Sequence, residues 1–305
     1  MEIRFLEHTE IDKIRWDELI YSSFNGTVYA CSWFLDIVAP DWCALVEGDY
    51  EVVMALPTRK KYGISYIFLP AFCQQLGVVG RQLIDAEKVH AFIRNIPSRY
   101  SYIETNLNIF NQNHQKDVIG RINQNFELDL IQGYPSISGN YSKNQKKNLK
   151  IAQKNKISIA ESLNSHEFLS FYEKNLLVGI RASAESLGVL RKIITQSQKH
   201  SMSKLLAAYD QTNNLVAVAF ILQFKDRSIL LASASNQEGR ETSSMYALID
   251  AHIRKHSGSN LILDFEGSNI ESIAYFFGGF GAVASTYLTL RINRLPCLLR
   301  WMKRS

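Results

Sequence analysis

The chain has 305 residues, of which 46% are hydrophobic and 21% charged, with a formal net charge of +5. That composition supports packed cores, on the order of two domains by length, and excludes a disordered or low-complexity chain. The mild positive charge suits an anionic ligand. No apolar run approaches the roughly 18 residues of a membrane span, and "MEIRFLEHTEID" has no apolar signal region, so a cytoplasmic protein without an integral membrane segment is expected.

In chain order, "DKIRWDELIYSS" reads as an amphipathic helix. "WCALVEGD", "YEVVMALPTRK" and "ISYIFLPAFCQQLGVVG" read as three strands with their loops. "AEKVHAFIRNI" follows as a helix and "SYIETNLN" as a strand. "HEFLSFYEKNLL" and "AESLGVLRKIITQSQ" are two further helices. "SKLLAAYD", "LVAVAFILQF" and "SILLASAS" are strands joined by connections too short for crossovers, which predicts an antiparallel meander. "MYALIDAHIRKH" is helical by the spacing of Tyr246, Leu248, Ile249 and Ile253. "NLILDFEGS" is a strand, "NIESIAYFFGGFGA" a helix and "STYLTLRIN" a final strand. The order β-β-β-α-β-α-β therefore occurs twice, offset by roughly 160 residues, a whole-unit repeat. Two α/β units follow, 1–135 and 136–305, with the boundary near Gly133–Asn140.

At the start of the second unit lies "NYSKNQKKNLKIAQKNK", with six lysines and no acid anywhere between Asp129 and Glu161. Lys143, Lys147, Lys150 and Lys154 follow helical spacing and form one cationic stripe. It is either a solvated face or a seat for phosphate, to which lysine offers a point charge. The four cysteines, Cys31, Cys43, Cys73 and Cys297, are scattered and read as reduced buried thiols. His252 and His256 are four apart without a third ligand, so no metal is expected.

A duplicated unit of this order resembles the GNAT acyltransferase fold in tandem, and its pairing resembles the Fem-type peptidyltransferases and related two-domain bacterial GNAT proteins. The resemblance is carried by Trp16-Asp17 and Trp33, "LPAFCQQLG", "YSKNQKKNLKIAQKNK" and "LDFEGSNIESIAYFFGGFGA". It implies an α/β (α+β) chain of two GNAT-like domains, each a mixed, mainly antiparallel sheet flanked by helices. The first domain is then a degenerate wall of the acceptor cleft and the second the donor and catalytic domain. It also implies acyl transfer to an amine of a peptide, sugar-peptide or small conjugate. The donor is an acyl-CoA or, in the strict Fem-type version, aminoacyl-tRNA acting on a cell-wall precursor. A silent duplicated fold that only binds an anionic ligand is the rival from another class. Partners would be a phosphate-bearing substrate and tRNA, with no DNA and no metal.

The GNAT acetyl-CoA loop is Gln/Arg-x-x-Gly-x-Gly/Ala. Here "NQEGRETSSM" keeps Gly239-Arg240 and lacks the second glycine. Arg240, Ser243 and Ser244 precede a helix, where a serine either caps free N–H groups or helps them hold an anion. In "LDFEGSN", strand alternation puts Asp264 and Glu266 on one face. Glu266 is the candidate base for the incoming ammonium, and Ser268 and Asn269 follow it as substrate-binding candidates. Tyr275, in Tyr-x-x-x-Gly-Phe, is either a core aromatic or the acid to a departing thiolate. Gln74 and Gln75 either hydrogen-bond an acceptor or form a turn. No cysteine or serine sits in a nucleophile motif, so direct attack by the amine is expected.

Overall fold

The computed structural model describes residues 2–112, 118–176, 183–267 and 269–296. The chain divides into two compact units, Met1–Asn123 with Thr286–Ser305, and Gln124–Ser285. The second boundary falls inside a strand, so residues from Thr286 onward belong with the first unit.

The first unit starts with β1 (Ile3–Leu6) and α1 (Lys13–Ser22), whose first turn is capped by the Asp12 carboxylate accepting from the N–H groups of Ile14 and Arg15. After α2 (Ser32–Val38) come β2 (Cys43–Glu47) and β3 (Val52–Leu56), almost wholly buried and antiparallel. The sequence puts "ISYIFLPAFCQQLGVVG" third in this meander, and the structure divides it. Pro57 ends β3, and β4 (Thr58–Lys61) turns through Tyr62 and Gly63, both at positive φ, into β5 (Ile64–Ile67). Two successive residues at positive φ match the twist of a two-residue hairpin. β6 (Val78–Gly80) then takes the place beside β3, giving the order β1-β2-β3-β6. After α3 (Ala86–Arg94), β7 (Tyr100–Asn106) lies parallel to β5. The next strand is β8 (Ile119–Asp129).

In the second unit α4 (Tyr134–Gly139) leads to α5 (Lys143–Lys154), the lysine helix, capped by Ser142 Oγ accepting from Gln145 N. The short strand β9 (Ser158–Ala160) and the helices α6 (Ser165–Lys174) and α7 (Ala184–Lys199) precede β10 (Ser203–Tyr209), β11 (Leu215–Phe224) and β12 (Arg227–Ser235). These three form the expected antiparallel meander. The remaining elements are α8 (Gln237–Glu241), α9 (Ser244–His256), β13 (Ile262–Asp264), α10 (Glu271–Gly278) and β14 (Val283–Asn293). β13 runs parallel to β12 and antiparallel to the end of β8. Leu248, Ile249 and Ile253 of α9 are buried with Val216, Leu263 and Phe280, so the helix-spaced apolar residues make the core. β14 passes into the first unit and pairs with β7, where Asn123 Nδ2 donates to Thr289 Oγ1 and Thr289 to Asn106 Oδ1, both at 2.8 Å.

Cys31, Cys43 and Cys73 are buried and not joined in disulfides, and Cys297 lies outside the described residues. Among the described residues no helix is long and apolar enough to cross a membrane.

Candidate functional site

The site begins with a ladder that stops. β12 and β13 pair through Arg227↔Ile262, Ser228↔Leu263 and Ile229↔Asp264. Among the described residues no strand pairs with this edge of β12 beyond Ile229, although β12 continues to Ser235. The β11–β12 register also shifts between Phe220 and Ile221, a bulge that leaves Leu231 without a partner. Two parallel strands that part at their carboxyl ends open a crevice there, a position that favours ligand sites in α/β folds.

The crevice is a cleft of about 390 Å³. Its apolar wall includes Leu230, Met245, Tyr246, Ile273, Phe276 and Phe277. The Tyr246 and Phe276 rings meet edge to face at 4.8 Å. Its polar groups are Ser233, Ser235, Arg240, Ser243, Ser272 and Asn175. The described lining holds no carboxylate, imidazole or thiol.

The amino end of α9 reaches this cleft through Ser243 and Met245. Ser243 sits at φ 59°, ψ 33° and makes no side-chain cap, so the capping role read from the sequence is not the one it plays. Its hydroxyl instead donates to Asn148 Oδ1 of α5 at 2.7 Å, because the left-handed backbone turns the side chain away from the helix start. Ser244 is buried and shares a 2.8 Å hydrogen bond with Thr242 Oγ1. The first N–H groups of α9, on Ser244 and Met245, thus have no helical acceptor and no cap, and the positive end of the helix dipole lies at the cleft. Arg240 is exposed and donates through Nη1 to Ser235 O at 2.6 Å, which pins its guanidinium beside the end of β12. Gly239 is explained by packing, since a Cβ there would lie 2.1 Å from Val216 O.

Glu266 does not continue the alternation expected from "LDFEGSN". β13 ends at Asp264, and Glu266 adopts φ 57° with its N–H donating to Asp264 Oδ1 at 2.9 Å. A left-handed residue turns the side chain off the strand face, so Asp264 and Glu266 do not share one. Asp264 is buried and accepts from Arg227 Nη1 at 3.2 Å, and the same nitrogen donates to Glu127 at 2.6 Å. Burial pushes the Asp264 carboxyl up to about 6 against the pull of Arg227. Glu266 acts electrostatically on Tyr172 of α6, whose hydroxyl is pushed up first by burial and then by the Glu266 charge. Neither Glu266 nor Tyr275 is among the described cleft-lining residues, and Tyr275 is 63% exposed.

Asn269 accepts from Gln124 N at 3.2 Å through Oδ1, and Ser268 lies outside the described residues. Lys143 and Lys147 are exposed on α5 and do not line the cleft. In the first unit Gln75 is buried, accepting from Ile109 N and donating to Gln74 Oε1. Both ends of its amide are therefore engaged inside the first unit, one with the neighbouring Gln74 and one with the segment that follows β7. Gln74 is half-buried beside it.

Several residues that line the cleft or hold its walls were not singled out from the sequence. Tyr246 and Phe276 sit among core-spaced residues and carry no distinguishing pattern. Asn148 is one polar residue in a polar helix, and its link to Ser243 spans 95 positions. Gln145 donates to Phe276 O at 2.6 Å and packs against Gly279, where a Cβ would meet its side chain at 2.1 Å. That contact ties α10 to α5.

No protein-family model matches the sequence, and no curated protein matches it closely enough to count as a relative. Solved structures do match. FemX aligns over 100% of both chains with a TM-score of 0.69 at 11% identity. The C-terminal domain (DUF2156) of a putative lysylphosphatidylglycerol synthetase from Agrobacterium fabrum aligns over 95% of each chain, with a TM-score of 0.57 at 11% identity. A tandem GNAT protein from the clavulanic acid biosynthesis pathway aligns over 97% of this chain and 99% of its own, with a TM-score of 0.54 at 11% identity. At such identity the likeness is one of fold, and the fold is the Fem-like tandem GNAT arrangement.

Proposed function

We propose that this Fem-like tandem GNAT fold is an N-acyltransferase that moves an acyl or aminoacyl group onto the amine of a peptide, sugar-peptide or small conjugate. The observation that carries the reading is the cleft opened where β12 and β13 part at Ile229 and Asp264, with the uncapped start of α9 at its edge. The apolar wall suits the acyl or aminoacyl body of a donor. The free N–H groups and Arg240 suit its phosphates. In the reaction the ammonium first gives one proton to a base, and the amine nitrogen then forms a C–N bond to the donor carbonyl. The C–O or C–S bond breaks, and a second proton from that nitrogen ends on the leaving oxygen or sulfur. With no carboxylate, imidazole or thiol in the described lining, the cleft itself contributes by holding amine and carbonyl together, which is worth several kcal/mol, and the base is a group outside that lining. Glu266, two residues past the end of β13 and outside the described cleft lining, is the carboxylate we assign as that base on its place in the sequence.

The donor is better matched by an aminoacyl-tRNA ester than by acyl-CoA. Gly239 is filled against Val216, and Gln237–Glu241 is wound into α8 rather than left as a glycine-rich cradle for a pyrophosphate. The same acid-free lining favours a second reading, a silent fold that binds an anionic ligand without turnover.

Thermal unfolding with aminoacyl-tRNA, deacylated tRNA and acyl-CoA added separately tests the donor. A ligand at about 100 times its Kd stabilises by about 2.7 kcal/mol. The reading expects aminoacyl-tRNA to stabilise and acyl-CoA to do so less. Stabilisation by acyl-CoA alone overturns the donor assignment.

A further inference from the structure

A second concavity, of about 960 Å³, lies along α5 and α9 in the second unit, and none of its described lining residues lines the cleft. It is built on rigid elements. The half-buried Ala247 and Ala251 of α9, Leu149 of α5, and Ile157 and Ile159 at the β9 end form an apolar floor. The alanines lie one helical turn apart, so the floor is an unobstructed trough along α9.

The rim carries charge, and its bookkeeping decides the sign. Asp250 is buried and already accepts from the hydroxyls of Tyr134 at 2.8 Å and Tyr141 at 3.0 Å, with Arg254 Nη2 at 3.4 Å. Arg254 also stacks over the Tyr134 ring at 4.4 Å. Lys255 pairs with Glu161. Each acid is thus answered within the protein. Lys146 and Lys150 remain, one turn apart on the same face of α5. Lys146 gives its ammonium to Gly139 O, a neutral acceptor, and Lys150 has no ion-pair partner among the described residues. Two like charges at this spacing repel in the free helix, and a dianion bridging them removes that cost.

We infer that this trough binds a monomeric lipid phosphate, the hydrocarbon chain lying over Ala247 and Ala251 and the phosphate bridging Lys146 and Lys150. A phosphate monoester carries close to two negative charges near neutral pH, which matches the two unanswered lysines. The volume is in the range of small-molecule sites, roughly 300–1,000 Å³. A nucleic-acid strand fits less well, because base stacking needs open aromatic faces and Tyr134 is covered by Arg254.

Calorimetric titration of the full chain with decyl phosphate below its micelle concentration tests this. Hexyl phosphate, decyl maltoside, inorganic phosphate and an RNA oligonucleotide serve as comparison probes. Decyl phosphate is expected to bind, hexyl phosphate at least about 10-fold more weakly because each buried methylene contributes to affinity, and the maltoside and inorganic phosphate weaker still. Lys146→Ala with Lys150→Ala is expected to weaken decyl phosphate about 10-fold or more, and Ala251→Phe to abolish its binding. Ala247→Leu, a smaller obstruction, gives the same reading if Ala251→Phe unfolds. Equal affinity for inorganic and decyl phosphate overturns the proposal. So does decyl phosphate binding untouched by the groove variants, or preferential binding of the RNA at Lys146 and Lys150.

Discussion

Ile229 and Asp264 are the last residues at which β12 and β13 remain paired, and the candidate cleft opens directly beyond them. A side chain that fills this opening should block donor binding while leaving the fold intact. Ser233, exposed within the cleft, is the place to add it. Ser233→Trp is expected to lower kcat/KM for transfer by 100-fold or more with an unchanged Tm, as steady-state kinetics and calorimetry would show.

Glu266→Gln removes the assigned base without changing side-chain size. It should lower kcat by about 10²-fold or more, the usual effect of a positioned base, with donor affinity preserved. Unchanged single-turnover rates would remove Glu266 from the mechanism.

Gly239→Ala separates packing from phosphate binding. A methyl group there meets Val216 O, so the variant should lose roughly 1–3 kcal/mol in urea unfolding. A donor affinity that falls while stability holds would instead assign Gly239 to the ligand.

His252 makes stability depend on pH. Burial, then the charges of His256 and Lys255, holds its imidazole down at about 3, against an ordinary value near 6.5. Below about pH 6.5 the unfolded chain takes up a proton that the folded protein refuses until about pH 3. This group's stabilisation is therefore present above 6.5 and lost as the pH falls through that window. Urea unfolding at pH 7 and pH 5 should show a loss of about 2 kcal/mol from this site. His252→Gln should flatten that part of the slope, and an identical slope in the variant would contradict the assignment.

Lys143→Ala with Lys147→Ala should weaken aminoacyl-tRNA binding about 10-fold at low salt. The difference should shrink at high salt, because both side chains are exposed. Filter binding at two salt concentrations measures it.

Much of the fold was legible because it is written in local periodicity. The apolar spacing of α9, the stripe of α5 and the short turns between β10, β11 and β12 each arise from neighbouring residues, and each element forms where that spacing puts it. What depends on distant partners was not legible. Alternation carries Glu266 onto the face of Asp264 only if the strand continues, and nothing local in "LDFEGSN" shows the ladder ending at Asp264. Ser243 has the sequence signature of a cap, yet its hydroxyl goes to Asn148 on another helix. Val78–Gly80 takes the place beside β3 that Ile64–Ile67 was expected to fill, because Pro57 and the Tyr62–Gly63 turn lead that segment into a different sheet.

The central claim is that the cleft between the parted strands transfers an aminoacyl or acyl group to an amine. The most direct measurement is single-turnover transfer of a radiolabelled amino acid from a total aminoacyl-tRNA pool to an amine-bearing peptide panel, comparing the parent with Ser233→Trp. The account predicts ribonuclease-sensitive label on an acceptor with the parent and loss of at least 100-fold in rate with the variant. Tight tRNA binding without label on any amine, for both proteins, would contradict it.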